Sequence, residues 1–132
     1  MPEIRLRTER RSQLVDITRE VREAVAGESG SAVVVYVPHT TAGVTINEHA
    51  DPAVARDLEA ALERIVEDSW PWQHVELGEE NAPTHVRASL MGPSVVVPLR
   101  DDGSLGLGTW QGIFFCEFDG PRRRSVYVSV LA

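Results

Sequence analysis

Apolar and polar positions divide the chain into short strands and helices whose spacing changes several times. Apolar side chains alternate with polar ones over residues 3–8 and again, more briefly, over residues 13–17, which predicts two half-buried strands. Over residues 18–27 apolar positions recur every fourth residue, which is typical of a helix. The β-branched run at residues 32–37 predicts a central, buried strand, and Pro38 ends it.

Two more helices are predicted in the middle of the chain. Asp51 followed by Pro52 is typical of a helix start, because the carboxylate caps free N–H groups and proline suits the first turn. The apolar stripe of this helix is predicted at Val54, Leu58, Ala61, Leu62 and Ile65, and its water-facing side at Arg56, Glu59, Glu63 and Arg64. Asn81 is predicted to cap a short helix that carries His85 and ends at Gly92.

The remaining segments predict antiparallel strands joined by turns. Short strands are expected at residues 44–46 and 95–97, and longer ones at residues 110–118 and 125–131. Strands and helices do not alternate regularly, which favours an α+β fold over a doubly wound one. We therefore expect one domain spanning residues 1–132, with a two-layer, mostly antiparallel β-sheet packed with two to three helices.

Composition narrows the classes of function. The formal net charge is −7, which argues against nucleic-acid binding, because that needs a basic face. There is no apolar run long enough to cross a bilayer and no signal-peptide shape at the N-terminus, so we expect a cytoplasmic protein without a membrane partner. The single cysteine, Cys116, lies in an apolar run and is expected to be an inert core thiol. The run Arg122, Arg123, Arg124 fits a solvated turn and an anion-binding corner equally well.

All four histidines lie in or between short, turn-bounded segments, and three of them are candidate metal ligands. His39 follows a predicted buried strand, a rigid mount for an imidazole, although a hydrogen bond to a neighbouring loop explains it as well. His85 lies four residues after Asn81, on one helix face. Together with His74 and a carboxylate, these histidines are able to bind zinc and leave one position open.

The carboxylates differ in how well the fold alone explains them. A role as a helix cap is sufficient to explain Asp51, whereas no structural role explains Glu48. The neighbouring His49 is expected on the surface, since adjacent side chains diverge in an extended chain. Glu117 lies in an apolar strand, where a carboxylate needs a partner, a metal or a raised pKa, unless it faces solvent. Gln111 begins that strand between glycines, which let a ligand approach closely.

Taken together, these segments resemble the YjbQ-like family, which is described as a family of secondary thiamine-phosphate synthases. The matching pieces are His39-Thr40-Thr41-Ala42, Asn47-Glu48, Ala50-Asp51-Pro52, His74, Asn81, Pro83, His85, Ser89-Leu90-Met91-Gly92-Pro93-Ser94, Gly108-Thr109-Trp110-Gln111-Gly112-Ile113 and Glu117. Their order and spacing fit from about residue 31 onward. Two positions depart from the family pattern: His49 replaces a small or amide residue, and Gly78-Glu79-Glu80 replaces an Asp-rich turn.

The resemblance implies a homotrimer and an enzyme that joins a hydroxymethylpyrimidine diphosphate to a thiazole phosphate, with release of pyrophosphate. It implies catalytic roles for His39, Glu48, Asp51 and Glu117, metal binding by His39, His74 and His85, and substrate binding by Thr40, Thr41, Asn81, Gln111 and Arg122. Loss of pyrophosphate normally calls for a divalent cation on oxygen ligands, and Glu48, Asp51, Glu79 and Glu80 are candidates. Three histidines suit zinc better than magnesium.

Two alternatives to the synthase reaction fit the same residues. A metal-assisted hydrolase or lyase acting on a small phosphorylated metabolite uses the same histidines and carboxylates. The non-catalytic alternative is a homotrimer that binds a metabolite or a metal without turnover.

Overall fold

A computed structural model describes residues 1–75 and 80–132. The described chain contains, in order, β1 (Glu3–Arg7), β2 (Gln13–Asp16), α1 (Thr18–Val25), β3 (Ala32–Tyr36), β4 (Ala42–Glu48), α2 (Pro52–Ile65), α3 (Ala82–Met91), β5 (Ser94–Pro98), β6 (Gln111–Glu117) and β7 (Arg123–Leu131). These elements match the predicted strands and helices closely. Within residues 1–75 and 80–132, no helix is long and apolar enough to cross a membrane.

The strands form two antiparallel sheets. The four-stranded sheet has the order β1-β7-β3-β5, and the three-stranded sheet has the order β2-β6-β4. Every pairing between strands is antiparallel. The predicted α+β class, with two layers of antiparallel sheet and helices, is confirmed.

The main core lies between the two sheets and follows from the period of two along each strand. Val33 and Val35 of β3 point inward together with Val126 and Val128 of β7, and all four are fully buried. From the opposing sheet, β6 contributes Ile113 and Phe115, and β4 contributes Val44. Helix α1 contacts β1, β7 and β6 and so closes one side of this core.

A second core lies on the other face of the three-stranded sheet. Phe114 and Cys116 alternate with the inward residues of β6 and therefore face α2 and α3, where they meet Leu58 and Ala88. Strand β6 is consequently buried on both faces, which explains its nearly continuous apolar sequence. Burial raises the pKa of the Cys116 thiol far above its usual range, in agreement with an inert core residue.

Helix α2 departs from its predicted orientation. The Asp51 side chain accepts a hydrogen bond from the Ala53 N–H at 2.9 Å and caps the helix as expected. Glu59, however, is buried and not water-facing, whereas Ile65 is 71% exposed. The physical reason is that Glu59 accepts hydrogen bonds from the Arg10 guanidinium at 3.2 Å and from the Leu14 N–H at 2.8 Å. Hydrogen-bond partners that are distant in sequence therefore bury Glu59, although the apolar stripe predicts that it faces water.

Substitution of Gly43 tests the packing of β4 on α3. A Cβ atom at this glycine would lie 2.6 Å from the Gly92 carbonyl oxygen and 3.2 Å from Met91 Cβ. We expect Gly43→Ala to lower the free energy of unfolding by about 1–3 kcal/mol, because backbone atoms cannot yield easily. Gly108→Ala is the control, since its nearest neighbour is a flexible Gln111 side-chain oxygen at 3.4 Å. Equal denaturation midpoints for the two variants would contradict this packing.

Candidate functional site

The predicted site residues from four elements line one cleft of about 620 Å³. It opens where the end of β3, the start of β4, the first turns of α3 and the turn between β6 and β7 meet. We call it the histidine cleft; its lining is Pro38, His39, Thr40, Thr41, His74, Glu80, Asn81, His85, Asp119, Arg122 and Arg124. Nine of the residues that the sequence singled out are therefore brought together: His39, Thr40, Thr41, His74, Glu80, Asn81, His85, Arg122 and Arg124.

The floor of the histidine cleft is a buried ion pair between Arg124 and Glu117. Both side chains alternate in phase with the main core, so they face the space between the two sheets at its end. Arg124 Nε donates to Glu117 Oε1 at 2.8 Å, and one terminal nitrogen of Arg124 donates to Glu117 Oε2. The same terminal nitrogen also lies 2.8 Å from Thr41 Oγ1, and Thr8 Oγ1 donates to Glu117 Oε1 at 2.7 Å. The carboxylate thus has the partner that its buried position requires.

Glu117 does not fit the acid/base role that the resemblance implies. Burial alone raises the pKa of Glu117, but hydrogen bonds from Arg124 and Thr8 outweigh it, and the pKa lies below its ordinary value. The lowered pKa keeps the carboxylate ionised near pH 7, and because the side chain is fully enclosed it does not reach a substrate. Its geometry is that of a positioning residue that holds Arg124 in the wall of the cleft.

His39 is held in one orientation by the backbone of β7. Its Nε2 atom accepts a hydrogen bond from the Ser125 N–H at 3.0 Å. Burial lowers the pKa of His39, and the nearby Arg124 guanidinium lowers it further, so the ring is neutral near pH 7. A neutral imidazole that accepts at Nε2 carries its proton on Nδ1. His39 is therefore arranged as a hydrogen-bond donor, which disagrees with its predicted role as a metal ligand.

His74 and His85 form a close imidazole pair in the lining of the same cleft. Their ring centroids are 5.2 Å apart and the planes are nearly perpendicular, at 80°. In residues 1–75 and 80–132, no three His, Cys, Asp or Glu side chains lie close enough to hold a metal ion. The predicted site of three histidines is thus not assembled from these parts of the chain. Two other predicted positions, Gly78 and Glu79, lie outside the described residues.

Asp119 links two predicted substrate-binding residues and was not predicted from the sequence. Its carboxylate accepts from Asn81 Nδ2 at 2.9 Å and from a terminal nitrogen of Arg122 at 2.8 Å. Arg122 Nε also donates to the Asp119 carbonyl, at 2.8 Å. In the described parts of the chain, Asn81 Oδ1 is buried without a hydrogen-bond partner. Asp119 was missed because an Asp before Gly-Pro has the composition of an ordinary turn.

Glu48, Asp51 and Gln111 lie away from the histidine cleft. Glu48 pairs with Gln111 at one end of the ladder between β4 and β6, whereas Ala42 pairs with Glu117 at the other end. Six residues of extended strand separate these ends by about 20 Å. Within one chain, the structure therefore does not bring the predicted Glu48 and Gln111 together with the histidines. Asp51 lies beyond Glu48, as the cap of α2.

His49 lies at the same distant end and is more buried than expected. Its Nδ1 lies 2.9 Å from Asp16 Oδ2, and its ring packs on Gly112, where a Cβ atom would lie 2.4 Å from His49 Nδ1. The ring fills the space above a glycine instead of extending into solvent.

Comparison with known proteins decides the family. A family model described as "UPF0047 protein YjbQ-like" matches residues 2–132. The chain belongs to this family.

Relatives of this UPF0047 protein match it over almost its whole length. YugU of Bacillus subtilis is 45% identical over 134 residues, which cover 97% of this chain and 96% of YugU. A UPF0047 protein of Methanocaldococcus jannaschii is 44% identical over 128 residues, which cover 96% of this chain and 90% of that protein. The family resemblance inferred from the motifs is confirmed.

Solved structures of similar proteins share the fold. A crystal structure from Clostridium acetobutylicum, described as an uncharacterized conserved protein of the YjbQ/UPF0047 family, has a TM-score of 0.92 and 46% identity, covering 99% of this chain and 100% of that one. A hypothetical protein from Aeropyrum pernix has a TM-score of 0.91 and 40% identity, covering 99% of this chain and 97% of that one. The arrangement of sheets and helices is therefore that of the UPF0047 proteins.

Replacement of Glu117 tests the ion pair at the floor of the cleft. We expect Glu117→Gln to lower the free energy of unfolding at pH 7 by about 3–5 kcal/mol, because it leaves the buried Arg124 charge without its counterion. The control is Glu63→Gln, which changes the same kind of side chain on an exposed surface of α2. Chemical denaturation of the three proteins measures the difference.

The pH dependence gives an independent check of the same pair. The folded-state pKa of Glu117 is depressed, so its stabilisation is complete above the unfolded-chain value, roughly 4.3, and is lost as pH falls through the folded-state value. The wild-type free energy of unfolding should therefore fall more steeply below that pH than that of Glu117→Gln. If the free energies of unfolding of wild type and Glu117→Gln fall with the same slope at acid pH, Glu117 has no depressed pKa.

Proposed function

We propose that the histidine cleft binds a small phosphorylated metabolite and catalyses a reaction in which a phosphate or pyrophosphate group leaves. The observation that carries this proposal is Arg124, a guanidinium held rigidly by Glu117 and Thr41 in the wall of a cleft with three histidines. Guanidinium groups bind phosphate oxygens with charge and fork geometry together. A fixed cation is also ready for the negative charge that develops on a leaving phosphate.

Two further groups, Arg122 and His39, support anion binding at the same place. Arg122 lies at the cleft mouth, with Asp119 holding Nε and one terminal nitrogen. In the described residues the other terminal nitrogen of Arg122 makes no hydrogen bond, and the same is true of one terminal nitrogen of Arg124. His39 offers an Nδ1–H donor because Ser125 occupies Nε2. The cleft volume of about 620 Å³ suits a molecule of metabolite size.

The imidazole pair supplies the proton transfer in this proposal. Imidazole is the side chain that most often gives and takes protons near neutral pH. His74 and His85 line the same cleft as the arginines, and we infer that one ring protonates the leaving oxygen. Asn81 Oδ1, which has no partner in the described residues, is available to accept from an N–H or O–H of the substrate.

An adjoining cleft gives room for the part of the substrate without phosphate. It measures about 440 Å³ and shares His74, Glu80, Asn81 and Asp119 with the histidine cleft. Trp70 and Trp72 form its far wall, and Trp70 is 63% exposed. A ring system held there would keep its phosphate within reach of the arginines.

The specific reaction that we propose is the one implied by the family resemblance. The C–O bond of a hydroxymethylpyrimidine diphosphate breaks, its electron pair leaves with pyrophosphate, and the nitrogen of a thiazole phosphate forms the new C–N bond. Arg122 and Arg124 are the candidates to bind the departing pyrophosphate. Hydrolysis or elimination on another small phosphorylated metabolite remains a second reaction of the same class.

A divalent metal stays part of the proposal with a smaller set of ligands. The described residues do not form a site with three side-chain ligands, so no step above depends on a metal. His74 and His85 are the pair that would hold zinc, with substrate oxygens as further ligands, and the two rings would then be ligands in place of proton donors. Its contribution would be to offset the charge of the phosphates.

We also propose that the protein assembles as a homotrimer in the cytoplasm, without nucleic-acid or membrane partners. An apolar surface on the outer face of the four-stranded sheet supports assembly. Tyr36 and Val96 are 44% and 59% exposed there, and Val34 and Tyr127 lie beside them in the register. Such a contiguous apolar surface is typical of an interface.

Binding of pyrophosphate tests the anion site directly. We expect Arg122→Gln to weaken pyrophosphate binding about tenfold, because it removes one charge-assisted contact. The control, Arg56→Gln, makes the same change of charge on the exposed side of α2. Isothermal titration at fixed ionic strength measures both. The anion site is wrong if wild type binds no pyrophosphate or if both variants lose the same affinity.

Turnover separates an enzyme from a binding protein. With pyrimidine diphosphate and thiazole phosphate as substrates, we expect His85→Ala to reduce pyrophosphate release about 10²–10⁴-fold, as for loss of a general acid. His49→Ala is the control, because His49 lies at the distant end of β4. Ligand-dependent stabilisation of the wild type without turnover would favour the non-catalytic metabolite-binding alternative.

A further inference from the structure

A second group of arginines lies on the outer face of the four-stranded sheet, at the edge formed by β1. Arg7 of β1 and Arg123 of β7 are directly opposite each other. The next pair, Thr8 and Arg122, forms a backbone hydrogen bond at 2.9 Å, so Arg7 and Arg123 occupy a non-hydrogen-bonded position. At such positions the two Cβ atoms lie about 4.5–5.5 Å apart. Both side chains are exposed on the same face.

This pairing of like charges is unfavourable for the fold alone. Like charges directly opposite in an antiparallel ladder destabilise the sheet. In residues 1–75 and 80–132 neither Arg7 nor Arg123 forms an ion pair, although carboxylates outnumber cations in the chain. Arg5, two residues from Arg7 on the same face, is already paired with Glu3 at 2.7 Å. The guanidinium groups of Arg7 and Arg123 are therefore available to bind an anion.

The shape of this surface fits a small anion. Arg7 and Arg123 border a groove of about 370 Å³, whose other lining residues are Arg5, Leu6, Arg124 and Ser125. Arg124 lines both the groove and the histidine cleft, so the two adjoin at this residue. No carboxylate of the described residues lines the groove.

We propose that Arg7 and Arg123 form a second anion site, which binds a phosphate-type oxyanion in the groove. Two guanidinium groups on opposing strands bind the oxyanion from both sides, with up to two hydrogen bonds each. The bound anion offsets the repulsion between the arginines. This site adjoins the proposed active site at Arg124 but uses two exposed arginines of the outer face, and it does not require that the protein be an enzyme.

The test uses inorganic phosphate as the probe and the protein with Arg122→Gln as background, so that binding in the histidine cleft is already weakened. Backbone amide shifts of β1 and β7 in nitrogen-15 NMR report occupancy of the groove at fixed ionic strength. We expect the added pair Arg7→Gln and Arg123→Gln to reduce phosphate affinity at least tenfold. The matched control adds Arg56→Gln and Arg64→Gln, two exposed arginines of α2 without an ion pair in the described residues.

Thermal stability gives a second readout: the substitutions that lower phosphate affinity should raise stability when phosphate is absent. Without phosphate, removal of Arg7 and Arg123 should raise Tm, because a repulsive pair is lost. The proposal is overturned by any of three results: no phosphate-dependent shift in β1 and β7, equal loss in the control, or a lower Tm. A smaller mass of the Arg7→Gln, Arg123→Gln protein than of its Arg122→Gln background in light scattering would also overturn it, since the two arginines would then bind carboxylates of a second copy.

Discussion

The buried ion pair between Arg124 and Glu117 is the constraint on which the rest of the structure depends. It lies at the end of the core where the two sheets meet, and Thr8 and Thr41 complete its hydrogen bonds. Four strand ends or adjoining loops are thereby tied to one charged group. Burial of such a pair is costly unless every polar atom is satisfied, and here the carboxylate also accepts the N–H groups of residues 118 and 119.

The chemistry of the histidine cleft follows from this constraint. The carboxylate is enclosed and the guanidinium reaches the cleft wall, so the cleft gains a fixed cation although the chain is acidic overall. Burial lowers the pKa of His39, the same cation lowers it further, and the backbone already engages Nε2. A neutral donor beside a guanidinium is suited to bind an anion, whereas metal binding requires a free nitrogen lone pair. These features favour the proposed anion site over a metal site with His39 as a ligand.

The sequence predicted the elements well and the site only in part. Period-two alternation and the cap at Asp51 located the strands and helices, because these signals are local. Glu48 and Gln111 were grouped with the histidines because they belong to the same family motifs. They lie at the other end of the β4–β6 ladder, however, because each residue of a strand adds about 3.3 Å of length. Asp119 and the buried Glu59 depend on arginine partners distant in sequence, which no local pattern indicates.

In the proposed site, Glu117 presents Arg124, with a neutral His39 beside it, to an anion. Nitrogen-15 NMR of arginine and histidine side chains, recorded with and without pyrophosphate near pH 7, tests this arrangement. We expect His39 to carry its proton on Nδ1 and the guanidinium resonances of Arg124 to shift when pyrophosphate binds. A proton on His39 Nε2, or Arg124 resonances that do not respond to saturating pyrophosphate, would contradict it.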